Sequence, residues 1–518
     1  MTTKNLYVFG DSLSDTGNFF TFTGGLVPPS PPYFNGRASN GPVAVEQLAT
    51  RLGSNFSLQQ SNNYAFIAAT TGQGNSNEDD VGADLPGLLN QIDAFKTKVG
   101  TGKADPRGLY IVWAGPNDFI DTIAGSPLPQ PTGGTTFADP AVLLQQAALN
   151  INHSVSTLKG LGARNFVLPN MLNLGRLPGS QKFPVEATAI SKAFNAAVAL
   201  ELDNLQFKVT QVDLFSAGEA AASNPGKFGF TNVTDPLLLA PPGSNPDQFF
   251  FWDLYHPTTK GHGLLADTIY QTLKGKIPQP AFNSIAGTSN RDFLVGTSAN
   301  DVIDGLEGND SLSGLRGNDR IEGRQGNDKL FGVQGDDTLS GGDGTDFLNG
   351  GQGDDIAFGG TGNDQLLGQV GNDILVGDAG KDLILGGQGN DYLLGGEGQD
   401  ALWGNEGQDI INGGSGKDLL LGGLGNDRLD GGADSDRLKG GLGNDQFVYR
   451  PGSGSDVILD FQKGADKIDL TSFRFKSFSN FTSSVTLNGS IINFGNSNTL
   501  KVNQVNVSTL SESDFIFA

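Results

Sequence analysis

The sequence predicts an α/β domain with a parallel sheet, followed by an all-β coil of very short parallel strands. Three observations predict it. Strand and helix patterns alternate through the first 275 residues, and eighteen aspartates then recur every nine residues from Asp292 to Asp445. An apolar side chain stands two residues after each of those aspartates, from Leu294 and Ile303 to Leu438 and Phe447. Alternating strands and helices argue for a parallel sheet covered on both faces. One inward residue per nine, flanked by glycines that permit tight turns and close approach, suits a stack of short strands. Two nonapeptides make one coil, so roughly nine coils at ~4.8 Å spacing give a rod of about 43 Å.

In chain order, strand patterns fall at 5–10, 108–114, 164–169 and 207–213. Helical patterns fall between them at Pro42–Leu52, Pro140–Leu161 and Pro184–Leu205, and again at Thr259–Leu273. Residues 1–275 are long enough for one full core. Residues 276–286, with Ile277-Pro278-Gln279-Pro280, read as a linker. The repeats occupy 287–450, and residues 451–518 change character again.

The formal charge is −23, and residues 287–450 supply most of it, with 29 acidic against 11 basic residues. An acidic surface of this size argues against nucleic acid as a partner. Without cations such a segment repels itself, so metal binding is expected to be coupled to folding. There is no cysteine, so disulfides do not stabilise the chain. No apolar stretch approaches the roughly 18 residues that span a membrane. The start, Leu6-Tyr7-Val8-Phe9, is a strand pattern and lacks the basic region of a secretory signal peptide.

Units such as Gly350-Gly351-Gln352-Gly353-Asp354-Asp355 and Gly359-Gly360-Thr361-Gly362-Asn363-Asp364 resemble the RTX nonapeptide repeat, a calcium-binding parallel β-roll. Aspartate carboxylates and turn carbonyls at fixed pitch are hard oxygen ligands, the set suited to Ca²⁺. The expected ligands are Asp310, Asp319, Asp328, Asp337, Asp346, Asp355, Asp364, Asp373, Asp382, Asp391, Asp400, Asp409, Asp418, Asp427, Asp436 and Asp445. The first two units, ending at Asp292 and Asp301, lack the fourth-position glycine and read as a cap. Asp456-Val457-Ile458 and Asp466-Lys467-Ile468 resemble the strand-rich cap that follows many RTX blocks. The resemblance implies an extracellular protein, exported by a type I secretion exporter and able to attach to a cell surface or matrix. Asp514-Phe515-Ile516-Phe517-Ala518 is similar to the uncleaved C-terminal signal that such export uses.

The first part carries the chemistry. Phe9-Gly10-Asp11-Ser12-Leu13-Ser14-Asp15 follows the first strand and resembles the opening block of the GDSL, or SGNH, hydrolases. Asn63-Tyr64-Ala65, Gly115-Pro116-Asn117-Asp118 and Asp253-Leu254-Tyr255-His256-Pro257 match the later blocks, in order. The resemblance spans residues 5–273 and implies a three-layer α/β/α fold. A serine hydroxyl needs a base to take its proton. His256 is the candidate base, and Asp253, one turn earlier, can orient it. By resemblance the oxyanion donors are the Ser12 N–H, the Asn117 side-chain amide and a backbone N–H in the second block. Ala68 occupies the place of the glycine that relatives carry there, so a position requiring φ > 0 would be strained. No Gly-x-Ser-x-Gly motif occurs, which argues against an ordinary α/β-hydrolase.

The expected activity is hydrolysis of a carboxylic ester, lipid or acylated saccharide, with no cofactor for the chemistry and calcium for the repeats. The alternative is a non-catalytic extracellular matrix protein with a decayed hydrolase domain. His153 and His262 are expected to be structural, as are Trp113 and Trp252.

Overall fold

The computed structural model describes residues 4–22, 32–35, 37–53, 56–67, 69–73, 86–123, 140–205, 207–495 and 498–517. The chain forms two compact units, one of residues 1–133 and 143–280 and the other of residues 134–142 and 281–518. The first holds a five-stranded sheet of order β2-β1-β3-β4-β5. Its strands are β1 Lys4–Gly10, β2 Phe56–Asn63, β3 Leu109–Trp113, β4 Asn165–Pro169 and β5 Thr210–Val212. Every neighbouring pair is parallel. All five residues of β3 are buried, as expected of a central strand covered on both faces. Eight helices are described in this unit: α1 Asn18–Phe22, α2 Ala44–Leu52, α3 Leu88–Val99, α4 Pro116–Ile123, α5 Pro140–Leu161, α6 Pro184–Asp203, α7 Leu214–Ser223 and α8 Thr259–Leu273. The segments after β1, β3 and β4 carry Ser12, Asn117 and Leu172. They leave the carboxyl ends of adjacent strands, where open α/β sheets place their sites.

Strand β2 is absent from the strand patterns read above, for a physical reason. Its sequence, Phe56-Ser-Leu-Gln-Gln-Ser-Asn-Asn63, is polar over its last five residues. It lies at the sheet edge against β1 alone, where a continuous apolar run is not required.

The second unit is a solenoid of two sheets, with twelve and thirteen strands among the described residues, parallel except in the cap, where Thr486–Asn488, Ile491–Gly495 and Asn498–Val502 pair antiparallel. Successive nonapeptides join opposite sheets, so partners within a sheet are one coil, or two repeats, apart, as in Arg320↔Thr338 and Ile321↔Leu339. The apolar residue of each repeat forms an axial stack from Ile303 to Phe447, at most 1% exposed throughout. The linker reading needs correction at its end. Asn283–Ala286 already pairs with Asp301–Asp304 as the first strand, Ile285 beside Ile303, because Ile285 is in phase with the stack. At the other end, Phe515–Ile516 pairs with Lys467–Asp469 and closes the twelve-stranded sheet. Phe515 packs against Phe481 with ring centroids 4.8 Å apart, within the phenylalanine cluster of the cap.

From the repeat ending at Asp310 to the one ending at Asp445, the second glycine position takes positive φ whichever residue stands there. Val333 sits at φ 90° and Leu315 at 77°, conformations that cost an L-residue roughly 1–2 kcal/mol. The fourth-position glycine is constrained further: a Cβ on Gly380 would lie 1.3 Å from the Gly362 carbonyl oxygen. Val333→Gly should therefore raise the thermal midpoint of the roll, and Gly380→Ala should lower it by far more than Ala379→Gly. Calorimetry of the full chain in millimolar calcium measures all three.

Candidate active site and the aspartate ladder

Gly10, the last residue of β1, lets the chain pass so close to β3 that a Cβ would stand 2.0 Å from the Trp113 carbonyl oxygen. Gln91 of α3 fixes that peptide from both sides, accepting from Gly10 N at 2.8 Å and donating to Gly10 O at 2.9 Å. Ser12 follows. Asp15 then binds the first block to the second: its oxygens accept from the backbone N–H groups of Gly17, Asn18, Phe19 and Ile67. Asn63 completes the weave by donating to Ser14 O at 2.8 Å and Thr16 Oγ1 at 3.0 Å.

Into this frame the Asp253–His256 turn brings its two side chains. His256 Nε2 lies 3.0 Å from Ser12 Oγ, although 244 residues separate them. His256 Nδ1 faces both oxygens of Asp253 at 2.9 Å. The Tyr255 and His256 backbone N–H groups donate to Asp253 Oδ1 at 2.8 Å, and the Tyr33 hydroxyl donates to Oδ2 at 2.8 Å. Burial pushes the Asp253 carboxyl up, but the His256 charge, the His256 side-chain hydrogen bond and the Tyr255 and His256 backbone donors overcome it and hold it at about 2. For His256, burial pulls the pKa down, and the Asp253 charge and hydrogen bond more than offset this, leaving it raised. The arrangement can take a proton from the serine hydroxyl and hold the resulting imidazolium beside an ionised carboxylate.

Ser12, Asn117 and His256 line one cleft of about 460 Å³, walled by Leu172, Leu174, Leu177, Phe251 and Tyr255 among others. Asn117 Nδ2 donates to Ala69 O at 3.1 Å, which ties the third block to the second. Ala68 lies outside the described residues. Asp11 is also buried here, one oxygen accepting from Leu13 N, and burial raises it to about 7. His153 is exposed and His262 fully buried. His262 Nδ1 accepts from Ala44 N at 3.3 Å, and burial holds its pKa down at about 3, as a structural histidine requires. Trp113 is core. Tyr33 was not among the candidate residues, since no motif marks a tyrosine 220 positions from the carboxylate it touches.

In the roll, Oδ1 of each periodic aspartate from Asp310 to Asp445 accepts the backbone N–H of the aspartate one coil earlier. Asp292 N donates to Asp310 at 2.7 Å, and the pattern repeats to Asp427 N on Asp445 at 3.0 Å. In ten consecutive repeats, Asp310 to Asp391, Oδ2 is buried with no hydrogen-bond partner among the described residues. Beside it lies the cradle that a Cβ would fill: at Gly341 that point is 2.4 Å from Asp346 Oδ2 and 2.6 Å from the Gly359 carbonyl oxygen. Orphaned carboxylate oxygens lined up with carbonyls are an all-oxygen donor set that fits calcium. No three acidic, His or Cys side chains converge among the described residues, so carbonyls would have to complete any coordination shell. The ladder also continues beyond the nine-residue register. Asp436 N donates to Asp456 and Asp445 N to Asp466, at 20- and 21-residue steps that strict periodicity misses. The detectable signal is Asp-x-Ile, which puts Ile458 and Ile468 in the core stack.

Residues 6–269 match the model of the GDSL-like Lipase/Acylhydrolase family. Residues within 286–458 match the RTX calcium-binding nonapeptide repeat. A phosphatidylcholine-sterol acyltransferase of Aeromonas hydrophila is 28% identical over 51% of this chain and 88% of its own length. An uncharacterized protein from the trpE-trpG intergenic region of Pseudomonas putida is 26% identical over 56% of this chain, and the match spans only 51% of that relative. Among solved structures, a lipolytic G-D-S-L protein from Veillonella parvula DSM 2008 aligns over 52% of this chain and 97% of its own, at 12% identity and TM-score 0.29. No helix among the described residues is long and apolar enough to cross a membrane.

Burial, then the neighbouring carboxylates, raises Asp355 to about 8 and Asp436 to about 9. A carboxyl raised in the folded state contributes stability that is full below its unfolded pKa of about 3.9 and is lost as pH rises through the folded value. In chelator, the melting midpoint of the roll should fall as pH rises from about 4 to about 9. Millimolar calcium should restore it at the upper end, and circular dichroism melts at several pH values read both effects.

Proposed function

The chain belongs to the GDSL-like lipase/acylhydrolase family, and from that premise we propose that it is a secreted serine esterase working through an acyl-enzyme. The observation that carries this reading is the relay of Ser12 Oγ, His256 Nε2 and Asp253, opening on an apolar-walled cleft. Ser12 Oγ attacks the ester carbonyl carbon as its proton passes to His256 Nε2. The C–O bond then breaks, and the alcohol leaves with that proton. Water next gives a proton to His256 and its oxygen to the acyl carbon. The acid departs as the proton returns to Ser12 Oγ. Asp253 orients the ring and stabilises the imidazolium. Asn117 is assigned to the oxyanion together with the Ser12 N–H and the backbone N–H at Ala68, donors typically worth about 3–4 kcal/mol each.

In the second unit, Asp310 to Asp445 are assigned as carboxylate ligands of structural Ca²⁺, and Asp456 extends the set. RTX repeats are typical of type I secreted proteins. The same reading therefore includes a type I exporter as partner and an extracellular location, where millimolar calcium would order the roll.

Full-length protein in millimolar Ca²⁺ should hydrolyse p-nitrophenyl esters, and Ser12→Ala should lose at least about a thousandfold in kcat. Equal rates for the two folded proteins would refute the esterase reading. Tyr33→Phe tests the relay separately. Without the hydroxyl, Asp253 carries a less neutralised charge towards His256, so the imidazolium is favoured further. The acid limb of the kcat/KM profile, already above the ordinary 6.5 or so of histidine, should move to higher pH, with kcat down about three- to tenfold. A fall in kcat with an unmoved limb would reduce Tyr33 to packing.

A further inference from the structure

Each repeat needs only its central apolar residue inside the roll, and the residues on either side of it face outward. In the thirteen-stranded sheet those outward positions are apolar, save Gln365, over four adjacent strands from Gln365–Val370 to Leu419–Leu424. Leu367, Leu385, Trp403 and Leu421 stand in register in one row. Leu383 and Leu419 flank Ala401 in the row beside it. Every large apolar side chain of the repeats that is at least 40% exposed, up to Leu442 at 66% and Phe293 at 70%, also belongs to this sheet. The matching outward residues of the twelve-stranded sheet, Ile374, Val376, Tyr392 and Leu394, are buried. The apolar face open to solvent is therefore that of the thirteen-stranded sheet.

Charge divides the same way. Outside the periodic aspartates, the repeat strands of the twelve-stranded sheet carry six acids and three bases. Those of the thirteen-stranded sheet carry four exposed bases, Arg316, Lys329, Arg437 and Lys439, and one acid, Glu406. Lys439 lies beside Leu421 and Arg437 beside Leu419, while Lys329 lies beside Phe347 at the far end. The bases thus bracket the apolar rows across six strand spacings, about 29 Å. The sign is the reverse of the roll as a whole, where 29 acids face 11 bases.

We infer that this face docks the protein on an anionic lipid surface. A contiguous exposed apolar patch marks an interaction site. Leucines and a tryptophan bracketed by cations match the boundary between acyl chains and acidic head groups. A second copy of the chain fits less well, because pairing two such faces would bring like charges together. The inference goes beyond the esterase reading and does not depend on it.

The test is sedimentation of the full chain, at one fixed millimolar calcium concentration, with vesicles of phosphatidylcholine and phosphatidylglycerol and with phosphatidylcholine alone. Wild type and Ser12→Ala should both prefer the anionic vesicles. Leu385→Gln with Leu421→Gln should weaken that binding at least about tenfold, and so should Arg437→Glu with Lys439→Glu, exposed positions whose change leaves the core untouched. Lys381→Glu with Lys417→Glu, in exposed turns off this sheet, removes as much positive charge and should stay within twofold of wild type, which separates the face from calcium bridging and from net charge. Of the three tryptophans, Trp113 and Trp252 are buried, so a blue shift of emission on vesicles should vanish in Trp403→Phe. Equal binding to both kinds of vesicle, or folded face variants within twofold of wild type, would overturn the assignment. So would a dimer in sedimentation velocity that the two leucine exchanges dissolve, since the face would then pair two copies.

Discussion

Burying a carboxylate every nine residues is the constraint from which the second unit follows. Each periodic aspartate spends one oxygen on the backbone N–H of the coil before it, which sets the register between coils as firmly as the strand ladders do. The glycines that flank it cannot carry a side chain, because the carboxylate and a carbonyl of the next coil already occupy that space. The apolar stack supplies the hydrophobic gain, but a row of like charges in its flank opposes closure. Burying an unpaired charge costs more than a core leucine returns. A proton or a cation must therefore accompany the fold. At neutral pH and the roughly millimolar calcium of extracellular modules, the cation is the accessible choice, so folding and compartment become one question.

The first unit solves a different problem, that of holding distant pieces of chain in contact without a disulfide. Parallel register brings the ends of β1 and β3 together. Buried or half-buried polar side chains then fasten the loops: Gln91 on Gly10, Asp15 on the second block, Asn117 on Ala69, and Asp118 on Thr71. Each anchor is a local hydrogen bond with a long sequence span. Together they preorganise Ser12 against His256 before substrate arrives, which is where much of the barrier reduction from positioning originates.

Legibility followed how local the signal was. The roll could be read because its period repeats eighteen times, and its first strand was missed because Asn283 stands where the repeat would place an aspartate, although Ile285 keeps the phase. Ser12, Asn117, Asp253 and His256 were legible because their neighbours form short motifs, and Asp253 and His256 lie within one turn of each other. Tyr33 was not legible, since its contact with Asp253 exists only after the chain has folded. Strand β2 escaped because edge strands carry no apolar run.

Asp15, Asp253 and the roll aspartates from Asp310 onward can be compared by the charge that stands beside each. Asp15 accepts four backbone N–H bonds and still sits at about 6, because burial outweighs neutral donors. Asp253 accepts two backbone N–H groups and a tyrosine hydroxyl, yet it lies at about 2, and what distinguishes it is the imidazolium beside it. Four neutral donors therefore do not bring the buried Asp15 back to the ordinary carboxylate value, whereas at Asp253 the positive charge helps to take it below that value. The roll aspartates resemble Asp15 with fewer donors: Asp355 has one backbone N–H on Oδ1, none on Oδ2, and a pKa of about 8. By the same rule they ionise fully only when positive charge comes to them. The roll has few bases to provide it, 11 against 29 acids in residues 287–450, so that charge has to come from solution.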